Sequence, residues 1–531
     1  MKKMIKLATA AMLMALPAGG QVAAQNTSVD WDIVTKIRDE GFNRSKVMET
    51  VQYLTDVIGP RLSGSPQMQQ ASEWTRDTLA AWGMDNARLE GFEFGPGWSS
   101  EHTVVKMTSP RTSQLYARAM SWHPGTDGVV NGDVVYAPMS SKADFEKYKG
   151  TLKGKIVMVD KVRPQREPSN QVFTRRSDEE IANRLDFSIP TGEAEDPMKW
   201  WSNYLGFFHE REQFLRSEGA LVMVRNSPRN AMLLDANAYQ HATGMNAEIP
   251  AVGMAAEHYN RLKRLIDLDK TVSLSVEVKA QFHTEDTKTY NTLADIDGET
   301  DEVVLVGAHL DSWHLGDGAV DNAAGSAVAM EAMRIIKTLG VKPKRTIRIG
   351  LWSGEEQGYF GSQAYVLDHL VSRPQSDNER YKYAGTYEKH YNMFPMEKKP
   401  SYNKFSAYYN LDNGSGKIRG IYAEQNSAAG HIFKSWLEPF HDLGAKHVTL
   451  NDTGGTDHEP FDDIGLPGFQ FMQDSLDYST RLHHTQVDTY DHVYEKDLKQ
   501  AAVIMASFLW HTAQMDTLMP REPEPKKVTY Q

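Results

Sequence analysis

An unbroken aliphatic run, Val303 to Val306, leads directly into His309 and Asp311, and a helical stripe and a second apolar run follow it. Ala324, Val328, Ala332, Ile335, Ile336 and Leu339 recur at helical steps with Gly340 as a stop, and Thr346 to Trp352 then reads as a strand. A strand with no polar alternation is buried on both faces, and parallel neighbours need a crossover of this kind. The run therefore directs the chain to an α/β fold with a mixed, mostly parallel sheet flanked by helices. Phe405 to Leu411 and Gly468 to Met472 supply two further strands. Ligands in such sheets bind beyond the carboxyl ends of the strands, and three of these strand ends deliver a histidine or a carboxylate.

The 531 residues exceed one core, since a domain takes roughly 150 residues. Lys2, Lys3 and Lys6 precede an apolar stretch from Leu7 to Leu16 and a small-residue site, which reads as a signal peptide over 1–24 with cleavage after Ala24. Residues 25–120 open a domain that resumes at 283–520, and 521–531 form a tail. Between them, residues 121–282 carry short β-branched runs at Asp133–Tyr136, Lys155–Asp160, Ala220–Val224, Ile249–Gly253 and Val272–Ala280, as an inserted, mostly β domain would. Its aromatic stretch from Glu195 to Glu218 is either packing or cleft lining. Arg373 to Lys404 reads as a surface excursion or a lid.

The chain has no cysteine, so disulfides, thiolate nucleophiles and Cys-based zinc sites are excluded together. The formal charge of −12 argues against nucleic acid, and after the leader no apolar run reaches the length of a membrane span. A secreted or periplasmic protein is expected.

His309, Asp321, the tandem Glu355-Glu356, Asp412 and His484 each stand by glycines, at a strand end or in a polar loop. Imidazole and carboxylate suit zinc, and five such ligands suit two ions better than one. Three carboxylates and a bridging hydroxide neutralise two Zn²⁺, and a bridging carboxylate sets ions roughly 3.5–4 Å apart. Asp321, just ahead of the helix, is the natural bridge. One of Glu355 and Glu356 can ligate while the other stays free as a general base. Asp311 could accept the second N–H of His309.

These segments resemble a known family when taken as a set. His309-x-Asp311, Gly318-Ala319-x-Asp321-Asn322-x-Ala324-Gly325, Ser353-Gly354-Glu355-Glu356-x-Gly358, Asn410-Leu411-Asp412 and His484-Thr485-x-x-Asp488-Thr489 are similar to the motifs of the two-zinc aminopeptidase and carboxypeptidase Q type of metallopeptidase, family twenty-eight. Gly59-Pro60-Arg61-x-x-Gly64-Ser65 resembles that family's amino-terminal signature. The resemblance implies two zinc ions held by His309, Asp321, Glu356, Asp412 and His484, with Glu355 as base. His483 remains a rival to His484, which stands immediately before Thr as in the family pattern. It also implies a protease-associated domain over 121–282, where Glu248-Ile249-Pro250-Ala251-Val252 matches a run of such domains. Gly455, Asp457 and His458 resemble a segment that lines the substrate site.

The function that follows is an exported zinc exopeptidase, aminopeptidase or dipeptidase, acting on peptides or dipeptides, with a homodimer left open. Its rivals are a single-zinc glutaminyl cyclase and a non-catalytic binding module on the same scaffold. No His-Glu-x-x-His or Gly-x-Ser-x-Gly occurs, which removes two other hydrolase designs.

Overall fold

The computed structural model describes residues 28–164, 172–183, 185–187, 196–239 and 247–526. The expected leader, its cleavage point and the end of the 521–531 tail lie outside these residues. No helix among the described residues is long and apolar enough to cross a membrane.

Two eight-stranded sheets organise the chain. The first runs in the order Asp85–Glu93, Lys288–Ile296, Arg345–Trp352, Thr300–His309, Phe405–Asn410, Gly468–Gln473, Ile418–Tyr422 and His447–Thr449. Its central four strands are mutually parallel, and antiparallel strands flank them. This is the mixed sheet that the aliphatic runs required. His309 lies opposite Trp352, and Gly307 lies opposite Asn410, so the three strands end on one edge of the sheet.

Helices cover both faces. Ala324–Thr338 is buried from Ala324 to Ile336, Gly325 stands where the Leu411 carbonyl comes close, and Gly340 ends the helix in the left-handed region at φ +64°. It packs with Trp31–Asn43 and Glu495–Gln514 in one core, while Trp352, Tyr408, Phe405 and Phe461 build a core on the other face. Arg334, on the first of these helices, donates to Glu331 at 2.8 Å and to Glu40 of Trp31–Asn43 at 2.7 Å, which pairs the charges that the burial encloses.

The second sheet runs Ser113–Leu115, Gly97–Ser109, Ser273–His283, Val130–Tyr136, Ile156–Met158, Val222–Asn226, Ala251–Met254 and Ala117–Ala119. Its two outermost strands are separated in sequence by Tyr116 alone, and one residue spans only about 3.5 Å. The sheet must therefore curl until its edges meet. It also begins earlier than Ser121, because Gly97–Ser109 pairs along its length with Ser273–His283. The alternation in that strand is hidden by Glu101, His102 and Lys106 on its outer face. The aromatic stretch is a helix, Pro197–Ser217, with Asp196 capping its first turn.

The two sheets are joined by a paired crossing. Glu93 is opposite Lys288 in the first sheet, Gly97 is opposite His283 in the second, and the N–H groups of Phe94 and Gly95 both donate to Thr287 between them. Gly97 has no room for a side chain, since a Cβ there would meet the Gly64 carbonyl oxygen.

Candidate metal centre and cleft

Beyond the strand edge, His309 Nε2 lies 3.3 Å from Asp321 Oδ1 and 3.3 Å from Asp412 Oδ1. On the other side of the same carboxylate, Asp321 Oδ2 lies 3.5 Å from His484 Nε2, which is 2.8 Å from Glu356 Oε2. Asp321 thus stands between two half-sites, one with His309 and Asp412, the other with His484 and Glu356. His483 stacks on His484 with centroids 3.6 Å apart, but its Nε2 is 4.0 Å from Asp321 and its side chain is more exposed.

Each residue is placed by local structure. Asp321 follows Gly318, whose left-handed φ of +59° and contact with Ser312 exclude a side chain. Asp488 accepts the N–H groups of Val320 and Asp321 at 2.7 and 3.0 Å and so fixes the turn. Arg61, fully buried, donates to the carbonyls of Leu54, Gly59, Leu310, Asp317 and Gly318 at 2.7 to 3.2 Å. It ties the end of the His309 strand to the Asp321 turn. Burial lowers the Arg61 guanidinium to about 10, against the pull of Asp488 and Asp311, so it stays charged near neutrality.

Asp311 has a task beyond the one expected. The second ring nitrogen of His309 is 3.0 Å from the Asp311 backbone carbonyl, while the carboxylate is farther away at 3.5 Å. With one residue between them, the carbonyl is the acceptor within reach of the ring. The carboxylate instead accepts from Ser63 at 2.9 Å and from the backbone N–H groups of Glu355 and Glu356 at 3.3 and 3.4 Å. It sets the turn that presents both glutamates.

The donor set fits a cation. His309 Nε2, Asp321 Oδ2, Glu356 Oε1 and Asp412 Oδ1 are buried and have no hydrogen-bond partner among the described residues, an arrangement that costs free energy unless a positive charge satisfies it. His309, Asp321 and Asp412 form one group with metal-holding geometry, and Asp321, His483 and His484 form another. Electrostatics agree. Burial and the adjacent carboxylates push Glu355 and Glu356 well above the ordinary range, while His309, although buried, is raised by Asp412 and Glu355. Asp321 is held low against its burial by His309, His484 and His483.

The centre opens into a cavity of about 520 Å³ whose walls include Glu355, Glu356, Tyr239, Tyr478, Trp201 and Glu388. Burial keeps the phenols of Tyr239 and Tyr478 protonated well above their ordinary range. Gly455 is on the wall, but Asp457 and His458 are not among its lining residues. Both lie buried behind it: Asp457 accepts from Ser362 at 2.5 Å, and His458 is bonded to the Thr453 carbonyl at 2.9 Å. Burial raises Asp457 to about 8, and Asp457 is one of the carboxyls that push Glu355 up. Rings run outward from the centre, from His484 to Trp313, Tyr239 and Trp201, with centroids 5.9, 5.1 and 5.2 Å apart in turn. Some aromatics of the 195–218 stretch therefore pack, while Trp201 reaches the cleft.

Residues 291–509 match the family model described as peptidase family M28. Carboxypeptidase Q of Mus musculus is 25% identical over 490 residues, covering 91% of this chain and 88% of its own. Among solved structures, the peptidase M28 precursor from Shewanella amazonensis SB2B has a TM-score of 0.63 at 23% identity, covering 93% of this chain and 99% of that one. BSAP, a zinc aminopeptidase from Bacillus subtilis, has a TM-score of 0.55 at 19% identity and covers 88% and 94%. These two likenesses concern the fold.

Proposed function

From the premise that the chain carries a peptidase family M28 domain and is a metallopeptidase, we propose that it is an exported exopeptidase holding two zinc ions. The observation that carries this reading is the division of Asp321, one oxygen toward His309 and the other toward His484. His309, Asp412 and Asp321 would hold one ion, and His484 and Glu356, beside the same Asp321, would hold the other. The zinc aminopeptidase named among the structural neighbours is consistent with that metal.

Bound zinc supplies Lewis acidity to the scissile carbonyl and to the attacking water. Glu355 takes the proton from that water as its oxygen adds to the carbonyl carbon. It then returns the proton to the departing amine as the peptide C–N bond breaks, which releases a carboxylic acid and an amine. Asp311 holds the turn that keeps Glu355 off the ligand set and Glu356 on it. The phenols of Tyr239 and Tyr478 keep their protons and offer donors to the negative charge that develops on the carbonyl oxygen. Residues 97–283 supply a protease-associated domain in this reading, a role supported by the curled sheet and by the Ala251–Met254 strand at the Glu248-Ile249-Pro250-Ala251-Val252 run.

The test is zinc content per chain, together with hydrolysis of dipeptides and aminoacyl arylamides before and after chelation. Two equivalents, and activity that chelation removes and zinc restores, are expected. A fully active preparation with traces of metal would sink the reading.

A further inference from the structure

The cleft adjoins a second cavity of about 300 Å³, and Trp201, Tyr359 and Glu388 line both. The remaining wall is largely apolar, with Met198, Val366, Leu367, Pro460 and Ile464. Arg373 also borders it, but its guanidinium is engaged by Asp463 through the side chain and the backbone carbonyl. A cavity of this size takes an aromatic or branched aliphatic side chain. It is built by residues 359–371 and 459–464 together with the Pro197–Ser217 helix and the 373–404 excursion, and the last two contribute nothing to the zinc-ligand motifs.

Glu388 stands where the two cavities share a wall. The Gly385 N–H donates to its Oε2 at 2.6 Å. Its Oε1 lies against the turn that carries Glu355, because a Cβ on Gly358 would come within 2.8 Å of it, and Gly358 holds a φ of +118°. Among the described residues lining the metal cleft there is no lysine or arginine. Of the acidic side chains on that wall, Glu388 is the one that neither the proposed zinc ligands nor the base accounts for, so a substrate ammonium would meet it, while no cationic side chain stands there to receive a carboxylate. Burial raises Glu388 to about 7, a cost that an arriving cation relieves.

We propose that Glu388 receives the free α-ammonium of a peptide substrate and that the adjoining apolar cavity takes the bulky side chain of its first residue. This rests on the peptidase reading above. The zinc-loaded full chain is assayed on Phe-Ala, Phe-Ala-amide and N-acetyl-Phe-Ala. Amidation of the far end is expected to be tolerated, and acetylation of the amine to abolish turnover. Glu388→Gln should keep its zinc and raise KM for Phe-Ala-amide about 10- to 100-fold with little change in kcat, because a charge-assisted contact made to the ground state is lost. Glu388→Asp should fall between the two.

Equal hydrolysis of acetylated and free peptides would overturn the proposal while leaving the peptidase reading intact, and so would a wild-type KM in zinc-replete Glu388→Gln. A zinc-loaded chain inactive on every peptide, blocked or free, would instead remove the peptidase reading itself. If Glu388→Gln does not fold, the comparison of the three substrates on the wild-type chain still decides.

Discussion

Arg229 donates to the backbone carbonyl of His483 at 2.9 Å, which brings a residue from the connections of the second sheet onto the loop that delivers His484. The same guanidinium donates to Ser479 at 3.0 Å, and Gln486 of that loop accepts the Leu234 N–H at 2.7 Å. Thr174 and Leu476 pair as an isolated bridge on its other side. His484 itself is held at a φ of +62°, a backbone state uncommon outside glycine.

Arg229→Ala is accordingly expected to weaken the half-site of His484 and Glu356 by about 10- to 100-fold in metal affinity, the usual effect of removing a supporting contact. The half-site of His309 and Asp412 should keep its ion. Zinc titration with the stoichiometry resolved would show one strong and one weakened site. Two unchanged sites would remove the second sheet from metal binding.

The adjacent glutamates should separate cleanly. Glu356→Gln loses a ligand and should be short of metal. Glu355→Gln should retain both ions and its KM while kcat falls about 10²–10⁴-fold, the range for loss of a general base. Metal analysis beside steady-state kinetics checks the pair, and the reverse pattern would exchange their roles.

Arg61→Met leaves the carbonyls of Leu310, Asp317 and Gly318 without the guanidinium that now serves them. Loss of a buried, fully hydrogen-bonded charge from such a cluster should cost about 3–5 kcal/mol. Denaturant unfolding of the metal-free chain would measure it. A change under about 1 kcal/mol would mean that water or a neighbour replaces the donor.

His314 links acid stability to the contact between the two sheets. It bonds the Ala119 carbonyl at 2.9 Å and meets Trp98 edge-on, while its Nδ1 has no partner. Burial lowers it to about 4 from the ordinary 6.5, so the unfolded chain binds its proton first as pH falls. Stability is then lost between pH 6.5 and 4, by up to about 3 kcal/mol from this group. His314→Gln keeps a donor for Ala119 and should show a shallower decline in urea unfolding across that window. An unchanged slope would assign the acid sensitivity elsewhere.

The strand ends were legible because their signals are local: Val303–Val306, Thr346–Trp352 and Phe405–Leu411 are aliphatic or aromatic runs that stop beside the residues they present. The structure lengthens the first two, to Thr300–His309 and Arg345–Trp352, and ends the third at Asn410. Asp321, His309 and His484 were legible only as part of a set. Arg229, and the task of Arg61 beyond its place in the amino-terminal signature, were not, since each acts on partners far along the chain, Arg61 on Gly318 and Arg229 on His483. No window of sequence contains both ends of such a contact. Asp311 was found, but that its backbone carbonyl lies nearer the His309 ring than its carboxylate depends on how the chain bends after the strand.

The paired crossing between the sheets bears on how the molecule can deform. Two strands leave the first sheet side by side and enter the second still bonded to one another, with Gly64 pressed against them. A single tether would let the outer unit swivel freely; a ribbon resists torsion and transmits it. A twist of the outer unit along this ribbon reaches Lys288–Ile296, whose hydrogen-bonded neighbour Arg345–Trp352 ends at the glutamates.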